Sequence, residues 1–349
     1  MDSRKLLIRV DANVKIGTGH VMRCLALAQA WQDRGGDVVF AMAESSVGID
    51  ERLRLEQTQT SRLDAMPGSA DDAAQTGRLA RELQADWAVV DGYHFDSAYQ
   101  RFLKDEGLQL LVIDDYGHAG HYSADVVVNQ NISAKESLYP SREEYTRLCL
   151  GLDFVLLRRE FKAWREWKRE IAPVAKKILV TMGGSDPQNL TERVIGSLSS
   201  ADLKDLEAIV VVGGSNPHLG SLERRASQIS CGFRLVQHAL DMPELMAWAD
   251  LAIVAAGGTL WELLFMGCPT LSFARNPTQD RVLRELSKQG VVKFAGDSRD
   301  LNPASLVAAI AEIASSSRCR TQMSTLGREK LDGLGTERVC ELTVELLAL

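Results

Sequence analysis

The sequence predicts an α/β protein made of two doubly wound, Rossmann-like domains, and three features carry that prediction. Short apolar runs rich in Val, Ile and Leu alternate with helix-period segments; they are continuously apolar rather than alternating, as strands buried on both faces of a parallel sheet are. Several of these runs end in glycine turns that lead straight into a helix. The length, 349 residues, suits two domains at about 150 residues each.

The strands fall into two series. Leu6 to Val10, Val38 to Ala43, Trp87 to Val90, Leu110 to Ile113 and Val126 to Val128 form the first. Ile178 to Met182, Ala208 to Val212, Phe233 to Val236, Leu251 to Ala255, Thr270 to Phe273 and Val291 to Phe294 form the second. Each series builds one sheet with helices on its faces. The expected domains are residues 1–160 and 175–349, with 161–174 between them. From Leu156 to Lys177 the chain is charged and helix-prone, with Pro173 as a stop, which reads as a solvated linker. Trp164, Trp167, Trp248 and Trp261 are placed on helices as packing residues, and Ser315 to Ser317 break a helical tail in two.

Composition excludes several classes. Apolar residues make up 45% and charged ones 25%, the balance of a globular protein. Net charge is −7 and the pI about 5.5, with basic residues dispersed rather than striped, so no nucleic-acid footprint is expected. Six cysteines (Cys24, Cys149, Cys231, Cys268, Cys319, Cys340) include no C-x-x-C pair and read as reduced thiols of a cytoplasmic protein. The first apolar run is broken by Arg9 and Asp11, unlike a signal peptide, and no stretch reaches the ~18 apolar residues of a membrane span.

Gly17-Thr18-Gly19-His20-Val21-Met22-Arg23 follows the first strand and opens a helix, delivering a histidine to the carboxyl edge of the sheet. The dinucleotide fingerprint G-x-G-x-x-G needs a third small residue where Met22 stands, so a dehydrogenase turn is not expected. Gly17 and Gly19 instead permit a tight turn and close approach of a substrate. In the first turn of a helix His20 faces partly positive amide ends, a setting that suits an imidazole acting as proton acceptor. The plainer reading is a histidine that satisfies a loop carbonyl.

The second half repeats one device three times: strand, paired glycines, polar cap, helix. Met182-Gly183-Gly184-Ser185-Asp186-Pro187 offers Asp186 as cap and Pro187 as first helical residue; Val212-Gly213-Gly214-Ser215-Asn216-Pro217 does the same. In Ala256-Gly257-Gly258-Thr259, Thr259 and Glu262 spell a capping box. One such turn is ordinary strand-to-helix chemistry. Three at one sheet edge favour a phosphate-bearing ligand. Glu262 has two readings, a capping residue or a carboxylate that accepts ribose hydroxyls.

The ordered string Arg9-Val10-Asp11, Gly17 to His20 with Arg23, Asp91-Gly92-Tyr93, Asp114-Asp115, Asn129, Leu157 to Phe161, Met182 to Asp186 with Asn189, and Gly257 to Glu262 with Gly267 and Pro269 resembles the PseG/SpsG family. The resemblance runs over roughly residues 6–295. The characterised type of that family is UDP-2,4-diacetamido-2,4,6-trideoxy-β-L-altropyranose hydrolase of pseudaminic acid biosynthesis. It implies a GT-B-like architecture similar to MurG, two Rossmann-like domains facing a cleft, the first carrying the catalytic histidine loop and the second holding UDP. It further implies that His20 activates water, that Tyr93 is an active-site tyrosine, and that Asn276 or its neighbour Gln279 fills the family's asparagine position. Glu262 would bind ribose. Asp11, Gly17, Gly19, Gly183, Gly184, Ser185, Gly257 and Gly258 complete the expected substrate and UDP contacts.

The chemistry this implies is a single displacement. UDP is a good leaving group, so a base for water and charge stabilisation on the diphosphate suffice, and attack by water inverts the anomeric carbon. No cofactor is needed. Asp114, Asp115, His118 and His121 are close in sequence, but Gly117 and Gly120 make the segment a loop, so no metal site is expected there. Two other readings stay open: a GT-B glycosyltransferase in which a hydroxyl acceptor replaces water, and a non-catalytic nucleotide-sugar binding protein. The expected partner is a UDP-sugar, with neither nucleic acid nor membrane insertion.

Overall fold

The computed structural model describes residues 4–14, 16–228, 232–237 and 239–347; Cys231 lies outside the described residues. The chain divides into two compact units, residues 1–159 with 333–349 and residues 160–332. Two boundaries therefore differ from the expected 1–160, 161–174 and 175–349. The last helix belongs to the first unit, and the stretch after Arg159 belongs to the second.

The first unit contains β1 (Lys5–Val10), α1 (Gly19–Gln32), β2 (Asp37–Met42), α2 (Val47–Leu55), β3 (Gln59–Arg62), α3 (Ala70–Leu83), β4 (Trp87–Asp91), α4 (Ser97–Asp105), β5 (Gln109–Ile113), β6 (Val126–Asn129) and β7 (Arg147–Leu150). The seven strands form one parallel sheet in the order β3-β2-β1-β4-β5-β6-β7. Side chains alternate across it as the pleat demands: Leu6, Ile8 and Val10 pack with α1, while Leu7 packs with Ala73 and Ala80 of α3 and Leu103 of α4. Two strands escaped the sequence reading. β3 reads Gln-Thr-Ser-Arg and β7 Arg-Leu-Cys-Leu, and both are edge strands whose half-exposed positions lack the apolar run that marks the central ones.

The second unit contains β8 (Lys177–Thr181), α5 (Leu190–Ser200), β9 (Glu207–Val212), α6 (Leu219–Ser227), β10 (Phe233–Gln237), α7 (Met242–Trp248), β11 (Leu251–Ala255), α8 (Gly258–Phe265), β12 (Thr270–Ala274), α9 (Pro277–Lys288), β13 (Lys293–Asp297), α10 (Pro303–Ser315) and α11 (Ser317–Lys330). Its parallel sheet runs β10-β9-β8-β11-β12-β13. The expected serine break is present, with Ser316 capping α11 through the Cys319 amide. The expected helix across the linker is not: a 3-10 turn forms, Arg159–Trp164, while Glu166, Lys168 and Glu170 are exposed, as a solvated face requires. Arg169 departs from that face, donating to the carbonyls of Met246, Ala249 and Met266 and so closing carbonyls left open near the ends of α7 and α8.

The final helix, α12 (Gly335–Leu346), returns to the first unit. Val339 and Cys340 enter the core beside α1, and the Trp87 indole donates to the Thr343 carbonyl at 3.1 Å. Among the described residues no helix is long and apolar enough to cross a membrane.

Candidate active site

In the first sheet β1 lies between β2 and β4, so the chain reverses its direction of travel between β1 and β4. Such a switch point opens a crevice at the carboxyl ends of the strands. His20 arrives there on the first turn of α1 and Asp91 at the end of β4. His20 Nδ1 and Asp91 Oδ1 are 2.5 Å apart, while Arg23 NH2 lies 3.2 Å from the same ring nitrogen. The shorter contact decides the tautomer: two acceptors cannot meet at that distance, so Nδ1 carries the proton and donates it to Asp91. In the neutral ring Nε2 is then the acceptor, and the Asp91 carboxylate fixes the tautomer and orientation of the imidazole.

One guanidinium ties the cluster together. Arg23, one turn along α1 from His20, donates from Nε to Asp91 Oδ2 at 2.6 Å and from NH2 to Asp91 Oδ1 at 2.7 Å. Its NH1 reaches Asp115 Oδ1 at 2.8 Å and Oδ2 at 3.0 Å. Asp115, after β5, also accepts from the Tyr93 hydroxyl at 2.6 Å and from Asn131 Nδ2 at 2.9 Å. The Tyr93 and His20 rings meet edge to face with centroids 5.1 Å apart. Burial opposes the charge of Asp91, yet Arg23 and then His20 hold its carboxyl well below the usual range. Burial likewise opposes Asp115, which Arg23 foremost keeps low. The Tyr93 phenol is pushed far up by burial and by Asp115, so it stays protonated.

Neighbouring polar residues hold the loops. Asp11 accepts from the amides of Ala43 and Glu44, each at 2.8 Å, and pairs with buried Arg9 at 2.8 Å, so its carboxylate is engaged inside the unit. Arg9 also grips Asp72 through Nε and NH2 at 2.8 and 2.7 Å. Asp114 is a loop anchor, accepting from the amides of Asp115 and Gly117, from Tyr122 and from His118. His121 turns to Ser141 and Glu143. Among the described residues no three His, Cys, Asp or Glu side chains converge as metal ligands would. Gly17, at φ +80°, closes a bridge to Asn13, and Gly19 starts α1 with open space where a side chain would be.

The second sheet has its own switch point, between β8 and β11. Gly183 and Gly184 follow β8, Gly257 and Gly258 follow β11, and Arg275 and Asn276 follow β12. Their local geometry departs from the sequence reading at three helix starts. α5 begins at Leu190, not Pro187, and Asp186 caps it from upstream, accepting from the amides of Leu190 and Thr191 at 2.9 Å each. α6 begins at Leu219, not Pro217. Gly257 is the N-cap of α8, which puts Thr259 inside the helix and Glu262 a turn deeper, so no capping box forms. Asn276 caps α9, its oxygen accepting from the Gln279 amide at 2.9 Å while the Gln279 oxygen accepts from the Arg275 amide at 2.9 Å. Both carboxamide oxygens therefore accept one hydrogen bond within the turn.

What remains open there is the start of α8. Nothing lies within 4 Å of where a side chain would stand at Gly183, Gly257 or Gly258. Ser185 is buried beneath the first of these turns, and Glu262 is 9% exposed. Arg275, whose NH1 lies 3.5 Å from the Met182 carbonyl, bridges the β8 and β12 ends. Burial pulls its guanidinium down, with Asp186 opposing. Arg275 and Asn131 were not foreseen as site residues; Asp91, Asp115 and Arg23 stood in the family string without a role. The i, i+3 spacing of His20 and Arg23 on one helix face was the usable signal.

Residues 178–333 match the Glycosyltransferase family 28 C-terminal domain. The spore coat polysaccharide biosynthesis protein SpsG of Bacillus subtilis is 30% identical over 202 residues, covering 58% of this chain and 59% of SpsG. The UDP-2,4-diacetamido-2,4,6-trideoxy-β-L-altropyranose hydrolase of Campylobacter jejuni is 25% identical over 290 residues, 82% of this chain and 97% of that protein. The matched region thus spans 59% of the length of SpsG, as it does of a further relative from Methanocaldococcus jannaschii. The crystal structure of Acinetobacter baumannii MurG superimposes with a TM-score of 0.66 at 17% identity, covering 98% of this chain and 99% of MurG.

Proposed function

This chain belongs to the PseG/SpsG family, with its MurG-like GT-B fold, and on that premise we propose that it hydrolyses a UDP-linked 2,4-diacetamido-2,4,6-trideoxyhexose to UDP and the free sugar. The observation that carries the reading is the His20–Asp91 pair at the β1/β4 switch point. Nε2 of His20 takes a proton from water as the water oxygen attacks the anomeric carbon. The bond from that carbon to the diphosphate oxygen breaks, its electron pair leaves with UDP, and the anomeric configuration inverts. Asp91 stabilises the imidazolium that forms, as the carboxylate of an acid–base triad does.

The second unit supplies the nucleotide site in this reading. Amides at the start of α8 and the Arg275 guanidinium balance the diphosphate charge, and Glu262 accepts the ribose hydroxyls.

A transferase reading is favoured by one finding, the Glycosyltransferase family 28 match over residues 178–333. The same base could deprotonate an acceptor hydroxyl. Incubation with the UDP-sugar in the absence of acceptor separates the two: equimolar release of UDP and free sugar, unaffected by exhaustive chelation, is the expected result. Turnover only when a hydroxyl acceptor is added would replace hydrolysis with transfer.

A further inference from the structure

We infer that Asp115 locks the Tyr93 hydroxyl with its proton turned inward, so that Tyr93 presents an oxygen lone pair to the ligand and recognises a hydrogen-bond donor there, an N–H or an O–H. The inference rests on the proposed reading for the identity of that ligand, though not for the direction of the hydrogen bond.

The direction follows from counting protons. Asp115 receives Arg23 NH1 on both oxygens, Asn131 Nδ2 on Oδ1 and the Tyr93 hydroxyl on Oδ2. An ionised carboxylate only accepts, so in the 2.6 Å contact the sole available proton is that of the phenol. Asn131 cannot turn to offer its oxygen, because the same Nδ2 also donates to Asn129 Oδ1 at 3.1 Å. Once its proton is committed, the phenol oxygen has only acceptor capacity left. Tyr93 is 46% exposed and its ring meets that of His20 edge to face, so this remaining acceptor capacity lies beside the proposed base.

Two consequences separate this from a generic active-site tyrosine. Tyr93 is not a proton donor to the leaving group, because its proton is directed to Asp115 and giving it up would leave a phenolate beside that carboxylate. Arg23 becomes a positioning residue for both functional side chains, bracing Asp91 behind His20 and Asp115 behind Tyr93. A donor group on the ligand meets the oxygen of Tyr93 while the acceptor nitrogen of His20 takes a proton nearby. The sugar's amide N–H groups and the attacking water both qualify.

The test has two arms, each run on the full chain with unfolding midpoints measured alongside. In the first, Tyr93 ionisation is read as the alkaline absorbance difference between native protein and Tyr93→Phe. Titration well above the ordinary phenol value of about 10, and a return towards it in Asp115→Asn, is expected. Identical titration with and without the Asp115 carboxylate would overturn the inference, and this arm decides the bond direction even if the protein turns over no UDP-sugar. The second arm uses the UDP-diacetamido sugar. Tyr93→Phe should cut kcat/KM by ~10-fold without changing the shape of the pH profile, and adding Asp115→Asn should cost little more. A raised KM identifies the sugar amide as donor and a lowered kcat alone identifies water. Loss of the alkaline limb in Tyr93→Phe would make the tyrosine an acid and refute the assignment. Tyr93→Phe keeps the ring, so it decides this arm should Asp115→Asn fail to fold.

Discussion

With Nδ1 of His20 bound to Asp91, one ring nitrogen is left to exchange a proton, and its loss cannot be made good by the helix around it. His20→Asn should therefore lower turnover by ~10²-fold or more while UDP affinity, read by calorimetry, stays close to native. Near-native turnover would end the base assignment. Glu262 is the matching test in the second unit. Glu262→Gln keeps the size of the side chain and one acceptor oxygen, and it should weaken UDP binding by roughly tenfold, about 1.4 kcal/mol, with the unfolding midpoint measured alongside. Unaltered UDP affinity in that variant would send the search for the ribose contact elsewhere. His20 itself was legible from the glycine turn after the first strand. Its partner was not: Asp91 lies 71 positions away, and only the order of strands makes them neighbours.

At the scale of the elements, two glycine turns that look alike in sequence have different physical roles. A side chain at Gly213 would stand 2.3 Å from the Gly184 carbonyl oxygen and 2.5 Å from that of Gly183, so this glycine lets two turns pack against each other. Gly258 opens α8 with empty space around it. Gly213→Ala should thus cost about 1–3 kcal/mol of stability. Gly258→Ala should leave the unfolding midpoint unchanged or slightly raised, since alanine suits a helix, and should instead depress UDP affinity by filling the space a phosphate needs. Equal stability losses in the two variants would show that the α8 turn is packing alone. The central strands were legible because burial on both faces writes a continuous apolar run. Polar edge strands such as Gln59–Arg62 carry no such run, and helix starts after Gly-Gly-Ser turns slipped by two or three residues because capping came from upstream side chains such as Asp186.

Over the whole molecule, the buried carboxylates with lowered pKa collect in one unit. Asp11, Asp91, Asp114 and Asp115 all belong to the first, where burial opposes their ionisation and hydrogen-bonded or cationic partners outweigh it. Among the described residues of the second unit the lowered aspartates, Asp205 and Asp297, are held by surface pairs with Lys176 and Arg299. A carboxyl whose folded pKa is depressed stabilises the fold above its unfolded value, about 3.9, and loses that contribution as pH falls through the folded value. Below pH 4 the first unit should accordingly lose stability faster than the second. Hydrogen exchange followed peptide by peptide between pH 5 and 2, corrected for the intrinsic rate, measures this; uniform loss of protection across both units would contradict it.

The return of α12 to the first unit has a further consequence, for the order in which the molecule can come into being. Trp87 finds its hydrogen-bond partner 256 residues later, at Thr343, and the core beside α1 is closed by Val339 and Cys340. A chain leaving the ribosome offers every strand of the first sheet by residue 150, yet cannot seal that sheet's core until the second unit has been made in full. Domains usually fold in the order they are synthesised. Here the unit whose strands emerge first is closed only after the other has been made, and during translation an unsealed apolar face beside α1 waits for α12.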